Sequence, residues 1–187
     1  SEGQASAIHL ESTQEISDVY IYDNYIENFA QALHMSDGAP GEVTSHKRRI
    51  YFYNNLAVNN QWAQTWTMNI VGISNRSGTG STVSDIHIEN NTFTGKAGKS
   101  QYGIDIFGVG TISNIFIKNN IFYQLNNANS QGFVHMPNTK GSLTSGSRSN
   151  INIENNLTYL TGNNNNVSYS GTMNLYTNIN QINADPL

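Results

Sequence analysis

The sequence contains no cysteine and only three prolines, and charged residues make up just 12% of its 187 positions. Without cysteine the fold has no disulfides, and redox chemistry gives no clue to the compartment. A net charge of −4 argues against a general nucleic-acid binder, which would need a broad basic surface. No apolar run approaches the roughly 20 residues that cross a bilayer. We therefore expect neither a nucleic-acid partner nor a membrane span.

Several patterns that carry chemistry are also missing. The sequence has no zinc-ligand spacing, no phosphate-binding loop and no nucleophile elbow. It therefore predicts no metal site and no cofactor. A bound Ca²⁺ stays open, because Asp37 and Glu42 share one loop, although carboxylates are scarce for such a site.

Asparagine is abundant, with 29 copies, and it marks an internal repeat. Five times, a short run of alternating apolar residues ends in Asn-Asn or Asp-Asn. The copies are Val19-Tyr-Ile-Tyr-Asp-Asn24, Ile50-Tyr-Phe-Tyr-Asn-Asn55, Ile86-His-Ile-Glu-Asn-Asn91, Ile115-Phe-Ile-Lys-Asn-Asn120 and Ile151-Asn-Ile-Glu-Asn-Asn156. The second Asn recurs at spacings of 31, 36, 29 and 36 residues. An irregular period in this range, with a strand in each copy, indicates a β-solenoid.

Each repeat contains three short strands. One precedes the Asn pair, one follows it after a bend, and a third lies midway between pairs, as in Ile104-Asp-Ile106. Apolar residues alternate with variable ones, so they point inward on a period of two. The sequence predicts an all-β, right-handed parallel β-helix of about six coils with three strands per coil, in a single domain over residues 1–187.

The Asn pairs are assigned to the scaffold. A tight bend between two strands needs a residue near the left-handed region, which Asn tolerates better than most residues. Stacked at a strand spacing of about 4.8 Å, their side chains can hydrogen-bond from coil to coil as an Asn ladder.

The two ends suggest an excised piece. The chain opens on Ser1-Glu-Gly3 without Met, and Asp185-Pro-Leu187 ends it without a polar cap, which solenoids need. We expect a fragment or the C-terminal part of a longer protein.

The chain resembles the right-handed parallel β-helix (pectate-lyase-like) superfamily of polysaccharide lyases and secreted bacterial carbohydrate enzymes. The resemblance covers residues 5–187 and is based on the Ile-x-Ile-x-Asn-Asn repeat, on midway strands such as Gly103-Ile-Asp-Ile106 and Gly132-Phe-Val-His135, and on the ending Ile182-Asn-Ala-Asp-Pro-Leu187. It implies a secreted or cell-surface protein acting on carbohydrate, with the midway-strand sheet as the floor of the substrate cleft. It does not imply one activity, because a fold hosts many functions.

The outward positions of the midway strands form the candidate site. They are predicted to be His9, His34, Asn69, Asp105 and His135, followed by Ser168. In-register neighbours would lie about 5 Å apart, close enough to hydrogen-bond successive sugars or to place an acid beside a base. We take His34, Asp105 and His135 as candidate catalytic residues, and His9 and Asn69 as candidate substrate-binding residues. The alternative is that they are ordinary solvent-facing residues.

The loops beside these strands are predicted to form the walls of a groove. They carry eight of the nine Lys and Arg residues: Lys47, Arg48, Arg49, Arg76, Lys96, Lys99, Lys140 and Arg148. Such a distribution favours an anionic glycan, although loops are also where charges ordinarily occur. Both tryptophans, Trp62 and Trp66, lie in one of these loops and could stack on sugar rings or cap the core.

Two functional hypotheses follow. The first is a polysaccharide-active protein that cleaves an acidic glycan by β-elimination, in which the resembled lyases use a Lys or Arg base. Candidates of that type are Lys96 and Arg49, with Arg76, Lys99, Lys140 and Arg148 assigned to substrate binding. A hydrolase using Asp105 with His34 or His135 is a variant of it. The second is a non-catalytic carbohydrate-binding or structural module of a larger enzyme, adhesin or tailspike.

A second surface is predicted on the strands that precede the Asn pairs. Their outward positions carry Tyr20, Tyr22, Tyr51 and Tyr53, followed by His87 and Phe116. An exposed aromatic stripe is typical of a contact surface. We expect a neighbouring domain or long loop to pack there, with a flat carbohydrate platform as the alternative.

Overall fold

The computed structural model describes residues 6–12, 14–36, 44–58, 68–76, 78–95, 101–127, 133–137, 139–140, 143–162, 167–169 and 175–181. Within these ranges the protein is all-β, and no helix long and apolar enough for a bilayer occurs there. The midway strands are β1 (Ser6–Glu11), β4 (Gln31–Ser36), β7 (Met68–Asn75), β10 (Gln101–Gly108), β13 (Val134–Met136) and β17 (Val167–Tyr169). The strands leading into the Asn pairs are β2 (Glu15–Tyr22), β5 (His46–Tyr53), β8 (Thr82–Glu89), β11 (Thr111–Lys118) and the first part of β16 (Arg148–Gly162).

The strands after the pairs are shorter. They are β3 (Tyr25–Glu27), β6 (Leu56–Val58), β9 (Thr92–Thr94), β12 (Ile121–Asn127) and the second part of β16. A small antiparallel hairpin is formed by β14 (Thr139–Lys140) and β15 (Leu143–Thr144), and β18 (Leu175–Gln181) pairs with β16.

The midway strands make a six-stranded sheet in the order β1-β4-β7-β10-β13-β17. The strands on either side of the Asn pairs share a ten-stranded sheet, because β16 runs through both positions. Each strand pairs in parallel with the equivalent strand of the neighbouring repeat: Ile50, for example, is in register with Val19 on one side and Ile86 on the other. The prediction of an all-β fold with parallel repeat-to-repeat pairing is confirmed.

One hydrophobic core lies between the sheets. The apolar positions four and two residues before each Asn pair are inside it, and from the second copy onward they are fully buried, as Ile50 and Phe52 are. From the other sheet they meet side chains such as Leu33 and Ile104. Phenylalanines stack through this core, with Phe93 and Phe122 ring centroids 5.0 Å apart. Alternation of apolar residues thus sets which face of each strand is buried.

The two members of each Asn pair have different roles. The first member has a left-handed backbone, with φ of 53–56°, in Asp23, Asn54, Asn90, Asn119 and Asn155. The second member joins successive repeats through its side chain: Asn55 Nδ2 donates to Asn91 Oδ1 at 3.0 Å, and Asn91 Nδ2 donates to Asn120 Oδ1 at 3.0 Å. The same oxygens accept from backbone N–H groups. The first residue of each pair therefore forms the bend, and the second residue forms the side-chain contact between repeats.

A second row of left-handed residues was not predicted. It lies five residues before the first member of each pair and consists of Asp18, Arg49, Asp85, Asn114 and Asn150, with φ of 51–59°. Four of these are Asp or Asn, which was the available signal in the sequence. The odd member, Arg49, was placed in a groove wall by the sequence; it lies instead at this bend in the ten-stranded sheet.

Candidate functional site

The outer face of the six-stranded sheet carries the candidate site, and we call it the histidine face. Its central row is defined by register: His9 is opposite His34, His34 opposite Gly72, Gly72 opposite Asp105, and Asp105 opposite His135. The neighbouring positions on either side of this row, such as Ile104 and Ile106, are buried in the core. The row continues to the position of Ser168.

Asp105 and His135 form a hydrogen-bonded pair of titratable side chains on this face. His135 Nδ1 lies 2.7 Å from Asp105 Oδ1, with the Asp105 side chain 4% exposed and the His135 side chain 15% exposed. An ionised carboxylate can only accept hydrogen bonds, so beside an ionised Asp105 the neutral His135 ring is the tautomer with its hydrogen on Nδ1 and a lone pair on Nε2. A histidine held in this tautomer by a buried carboxylate is suited to accept a proton through Nε2.

Arg148 lies beneath this pair and not in a groove wall. Its side chain occupies an inward position of β16, in register with Ile112, and the residue is only 8% exposed. Its guanidinium donates to the carbonyl oxygens of Met136 at 2.9 Å and Pro137 at 2.8 Å. Burial lowers the pKa of Arg148, and the nearby Asp105 carboxylate opposes that shift. The predicted placement of Arg148 in a wall loop is corrected, because Arg148 lies in β16 with its guanidinium on the backbone at the end of β13, and its role in substrate binding stays a prediction.

His9 and His34 form a second group at the other end of the row. Their rings are stacked with centroids 4.9 Å apart, and His9 Nε2 lies 2.7 Å from Ser36 Oγ. His34 is separated from Asp105 by the β7 strand, two strand spacings or about 10 Å. That separation exceeds hydrogen-bond reach, so of the two histidines considered for pairing with Asp105, the structure brings only His135 to it.

Asn69 does not occupy the row position predicted for it. Gly72 stands between His34 and Asp105, and Asn69 lies three residues earlier on β7, almost fully buried, accepting a hydrogen bond from Gln31 Nε2 at 2.5 Å. A Cβ at position 72 would lie 2.9 Å from both Asn69 Oδ1 and His34 Cδ2. Glycine therefore lets these side chains converge over β7. The sequence left the register of β7 ambiguous, because Met68-Asn-Ile70 and Val71-Gly-Ile73 are consecutive apolar-x-apolar triplets.

Three of the predicted wall cations lie on the ten-stranded sheet. Lys47 is fully buried at an inward position of β5, with Nζ 3.3 Å from Ser45 Oγ. Arg48 and Arg49 form ion pairs with Glu15 and Asp18, at 2.6 Å in each case. The side-chain hydrogen bond from Arg49 lowers the pKa of Asp18, and the hydrogen bond from Arg48 likewise lowers the pKa of Glu15. These side chains do not line the histidine face.

Six candidate residues from the groove walls remain to be placed. Arg76 directly follows β7 and is partly exposed, so it stays a candidate for substrate binding. Lys140 lies in β14 and stays a predicted substrate-binding residue. Trp62, Trp66, Lys96 and Lys99 lie outside the described residues.

The described residues include no cluster of three or more His, Cys, Asp or Glu side chains suited to a metal ion. Asp37 and Glu42, the two carboxylates considered for Ca²⁺, fall outside the described ranges. The expectation of no metal site, with a bound Ca²⁺ in that loop left open, therefore stays untested.

The aromatic stripe is on the outer face of the ten-stranded sheet, away from the histidine face. Tyr20, Tyr51, His87 and Phe116 stack in one row at centroid distances of 4.6–4.8 Å, and Tyr22 stacks on Tyr53 at 5.1 Å. Tyr20 and Tyr22 are 58% and 50% exposed. Stacking covers both ring faces of Tyr51 and His87, whereas Tyr20 and Tyr22 end their rows and are stacked on one side. Packing of a neighbouring domain on this surface stays a prediction.

No known protein family, curated protein or solved structure matches this chain.

Proposed function

We propose that the chain is a right-handed parallel β-helix that binds an acidic polysaccharide across the histidine face and cleaves it by β-elimination. Support for the solenoid comes from the register, in which all three strand types pair one repeat apart, and from the right-handed preference of parallel crossovers. The row of Asn side-chain hydrogen bonds supports the Asn ladder. A secreted or cell-surface location accompanies this proposal, as it does for the proteins that the sequence resembles.

The observation that carries the proposed activity is the 2.7 Å contact between His135 Nδ1 and Asp105 Oδ1. Asp105 fixes the tautomer and stabilises the imidazolium that forms when His135 takes up a proton. His135 Nε2 then accepts the proton from the carbon next to the uronate carboxylate. The electron pair forms a carbon–carbon double bond, the glycosidic C–O bond breaks, and solvent supplies a proton to the leaving oxygen.

Hydrolysis fits the described residues less well. Glycosidases commonly use two carboxyl groups about 5–10 Å apart. On the described part of the histidine face, Asp105 has Glu11 as the other outward carboxylate, three strands away and about 14 Å by strand spacing. Elimination needs only one base, which the Asp105–His135 pair can supply. On this described part of the face, no second carboxylate lies within the glycosidase spacing from Asp105.

The anionic character of the substrate is supported by the chemistry of elimination, which requires a carboxylate beside the acidic carbon. Arg76 is the partly exposed described cation next to this sheet, and an arginine pairs well with a carboxylate. Lys96 and Lys99 remain proposed contributors to carboxylate binding. His34 and His9, stacked two and three strands away from Asp105, would contact sugars further along the chain.

The test is to incubate the protein with alginate, pectin and glycosaminoglycans and to follow the ultraviolet absorbance of the unsaturated product. His135→Gln removes the base and should abolish the signal, while Tyr20→Ser, on the other sheet, should leave it unchanged. Absence of unsaturated product with every uronate-containing glycan would rule out elimination on those substrates and sink the proposal. Equal rates for His135→Gln and the parent protein would show that another group is the base.

A non-catalytic carbohydrate-binding module is the second candidate. The observation that favours it is the small exposure of the His135 side chain, 15%, which limits the approach of a substrate carbon. Calorimetric titration with the same glycans separates the two. Binding that persists in His135→Gln, without turnover in the parent protein, would establish the second function.

A further inference from the structure

Arg148 is a buried cation at a position that the repeat otherwise gives mostly to apolar residues. The equivalent residues in the neighbouring repeats are Ile112, Val83, Lys47 and Ile16, by register. Placing a guanidinium here costs desolvation free energy, so its hydrogen bonds must compensate. The guanidinium donates to the carbonyl oxygens of Met136 and Pro137, the two residues after His135. It also donates to the hydroxyl of Ser145, which lies shortly before β16.

The carbonyls bound by Arg148 belong to the two residues that directly follow His135. β13 is only three residues long, and its register with β10 comprises two residue pairs, Ile104 with Val134 and Asp105 with His135. On its other side β13 pairs with β17 over the three residues Val134 to Met136, so backbone pairing ends just before Pro137. A planar guanidinium that donates to two successive carbonyls fixes the end of this strand, and with it the direction of the His135 side chain.

Arg148 also acts on the other member of the pair. Its positive charge and the Asp105 carboxylate interact favourably, which is seen as the opposing influence of Asp105 on the Arg148 pKa. Asp105 is nearly inaccessible to water, so a nearby buried cation stabilises its ionised form more than a solvated one would. An ionised Asp105 is the form that holds the hydrogen on His135 Nδ1.

We propose that Arg148 is a positioning residue for the Asp105–His135 pair, which it orients by clamping the end of β13 and by placing a buried cation beside the carboxylate. The inference deepens, and for its catalytic meaning rests on, the proposed elimination at the histidine face. The effect of Arg148 on the orientation of the Asp105–His135 pair can be tested without substrate.

The experiment compares Arg148→Met with Lys47→Met by NMR of the His135 ring across pH. Lys47 is the matched control because it is a buried cation in the same inward row, three strands away. Loss of the Arg148 charge should raise the pH midpoint of the His135 ring resonances by about one unit, since a nearby cation disfavours the imidazolium. Lys47→Met should move that midpoint by about 0.2 unit or less.

Arg148→Lys separates the clamp from the charge, and serves if Arg148→Met does not fold. A lysine keeps the charge without the planar fork, so the His135 midpoint should move little, whereas backbone amide exchange at His135 and Met136 should quicken by about tenfold or more. Unchanged exchange in Arg148→Lys, or equal midpoints in the two Met variants, would overturn the positioning role. A His135 shift in Arg148→Met together with no glycan cleavage by the parent protein would sink the proposed function and leave the positioning intact.

Discussion

Asp105 and His135 are register partners on adjacent parallel strands, and their 2.7 Å contact joins side chains 30 residues apart in the chain. Equivalent outward positions of neighbouring repeats lie about one strand spacing apart, so a pairing of this kind requires only the right residue at each of two positions. Burial of Asp105 then strengthens the contact, because little water competes for the carboxylate.

Asp105→Asn tests what the carboxylate contributes. An asparagine amide in this place can donate to His135 Nδ1, which would transfer the ring hydrogen to Nε2 and remove the base. We expect cleavage to fall by about 100-fold or more while the fold persists. ¹⁵N NMR of the ring reports the tautomer without substrate. An unchanged tautomer in Asp105→Asn would contradict the role given to Asp105.

Asn120 should contribute more to stability than its surface equivalent Asn24. Asn120 is buried, donates to Asn156 Oδ1 and Ile88 O, and accepts from Asn91, whereas Asn24 is exposed at the first repeat. Asn120→Ala leaves several buried partners unsatisfied and should lower the free energy of unfolding by about 3 kcal/mol. Asn24→Ala should cost about 1 kcal/mol or less.

Urea denaturation of both variants measures the difference. Equal losses would mean that the buried part of this row is no more important than its exposed end. Asn120→Asp adds a sharper control, since it keeps the accepting oxygens but cannot donate to Ile88 O.

The pairing of repeats could be predicted from the sequence, because the period of two and the Asn pairs recur in five copies. Counting positions from the Asn pairs also predicted that Asp105 and His135 are neighbours on the midway-strand sheet. The position of Asn69 did not follow from this count, because two consecutive triplets on β7 satisfy the same pattern and only the register selects Gly72.

The cations were harder to place for a physical reason. Lys47, Arg49 and Arg148 come just before the alternating apolar residues of their repeats. At such positions the sequence does not distinguish the end of a loop from the start of a strand. Only the paired structure shows that Lys47 and Arg148 point inward and that Arg49 is at a left-handed bend. A long side chain can bury its stem and still find hydrogen-bond partners, so charge alone does not predict exposure.

Lys47→Ala should be one of the more destabilising single changes. The side chain is fully buried at a core position, and its removal leaves a cavity as well as a lost contact to Ser45. We expect a loss of about 3 kcal/mol, as for a large apolar residue. Lys47→Met keeps the apolar stem and should lose less than half as much. Thermal and urea unfolding measure both, and equal losses would show that the ammonium matters more than the packing.

The left-handed backbone at Asn114, a member of the second row, predicts that stability depends strongly on the shape of the side chain at this position. Its φ is 54°, which a β-branched residue adopts only at high cost. Asn114→Val should therefore lower stability by about 2 kcal/mol, while Asn114→Gly should stay within about 1 kcal/mol of the parent. Asn152→Val, on the adjacent strand β16 in register with Phe116, is the control and should have little effect, because Asn152 is not among the left-handed residues. Equal losses for Val at both positions would contradict a conformational origin.

Acid should weaken the first two repeats through Glu15 and Asp18. Hydrogen bonds from Arg48 and Arg49 lower the pKa values of these carboxyl groups in the folded protein. A lowered folded-state pKa means that the stabilisation is present above the ordinary values of 4.5 and 3.8 and is lost as pH falls through and below them. The double variant Glu15→Gln, Asp18→Asn has no charge to lose there. Its unfolding temperature should drop less than that of the parent between about pH 6 and about pH 3, by a small margin because the ion pairs are exposed. An identical drop in both proteins would show that other carboxylates account for the acid sensitivity.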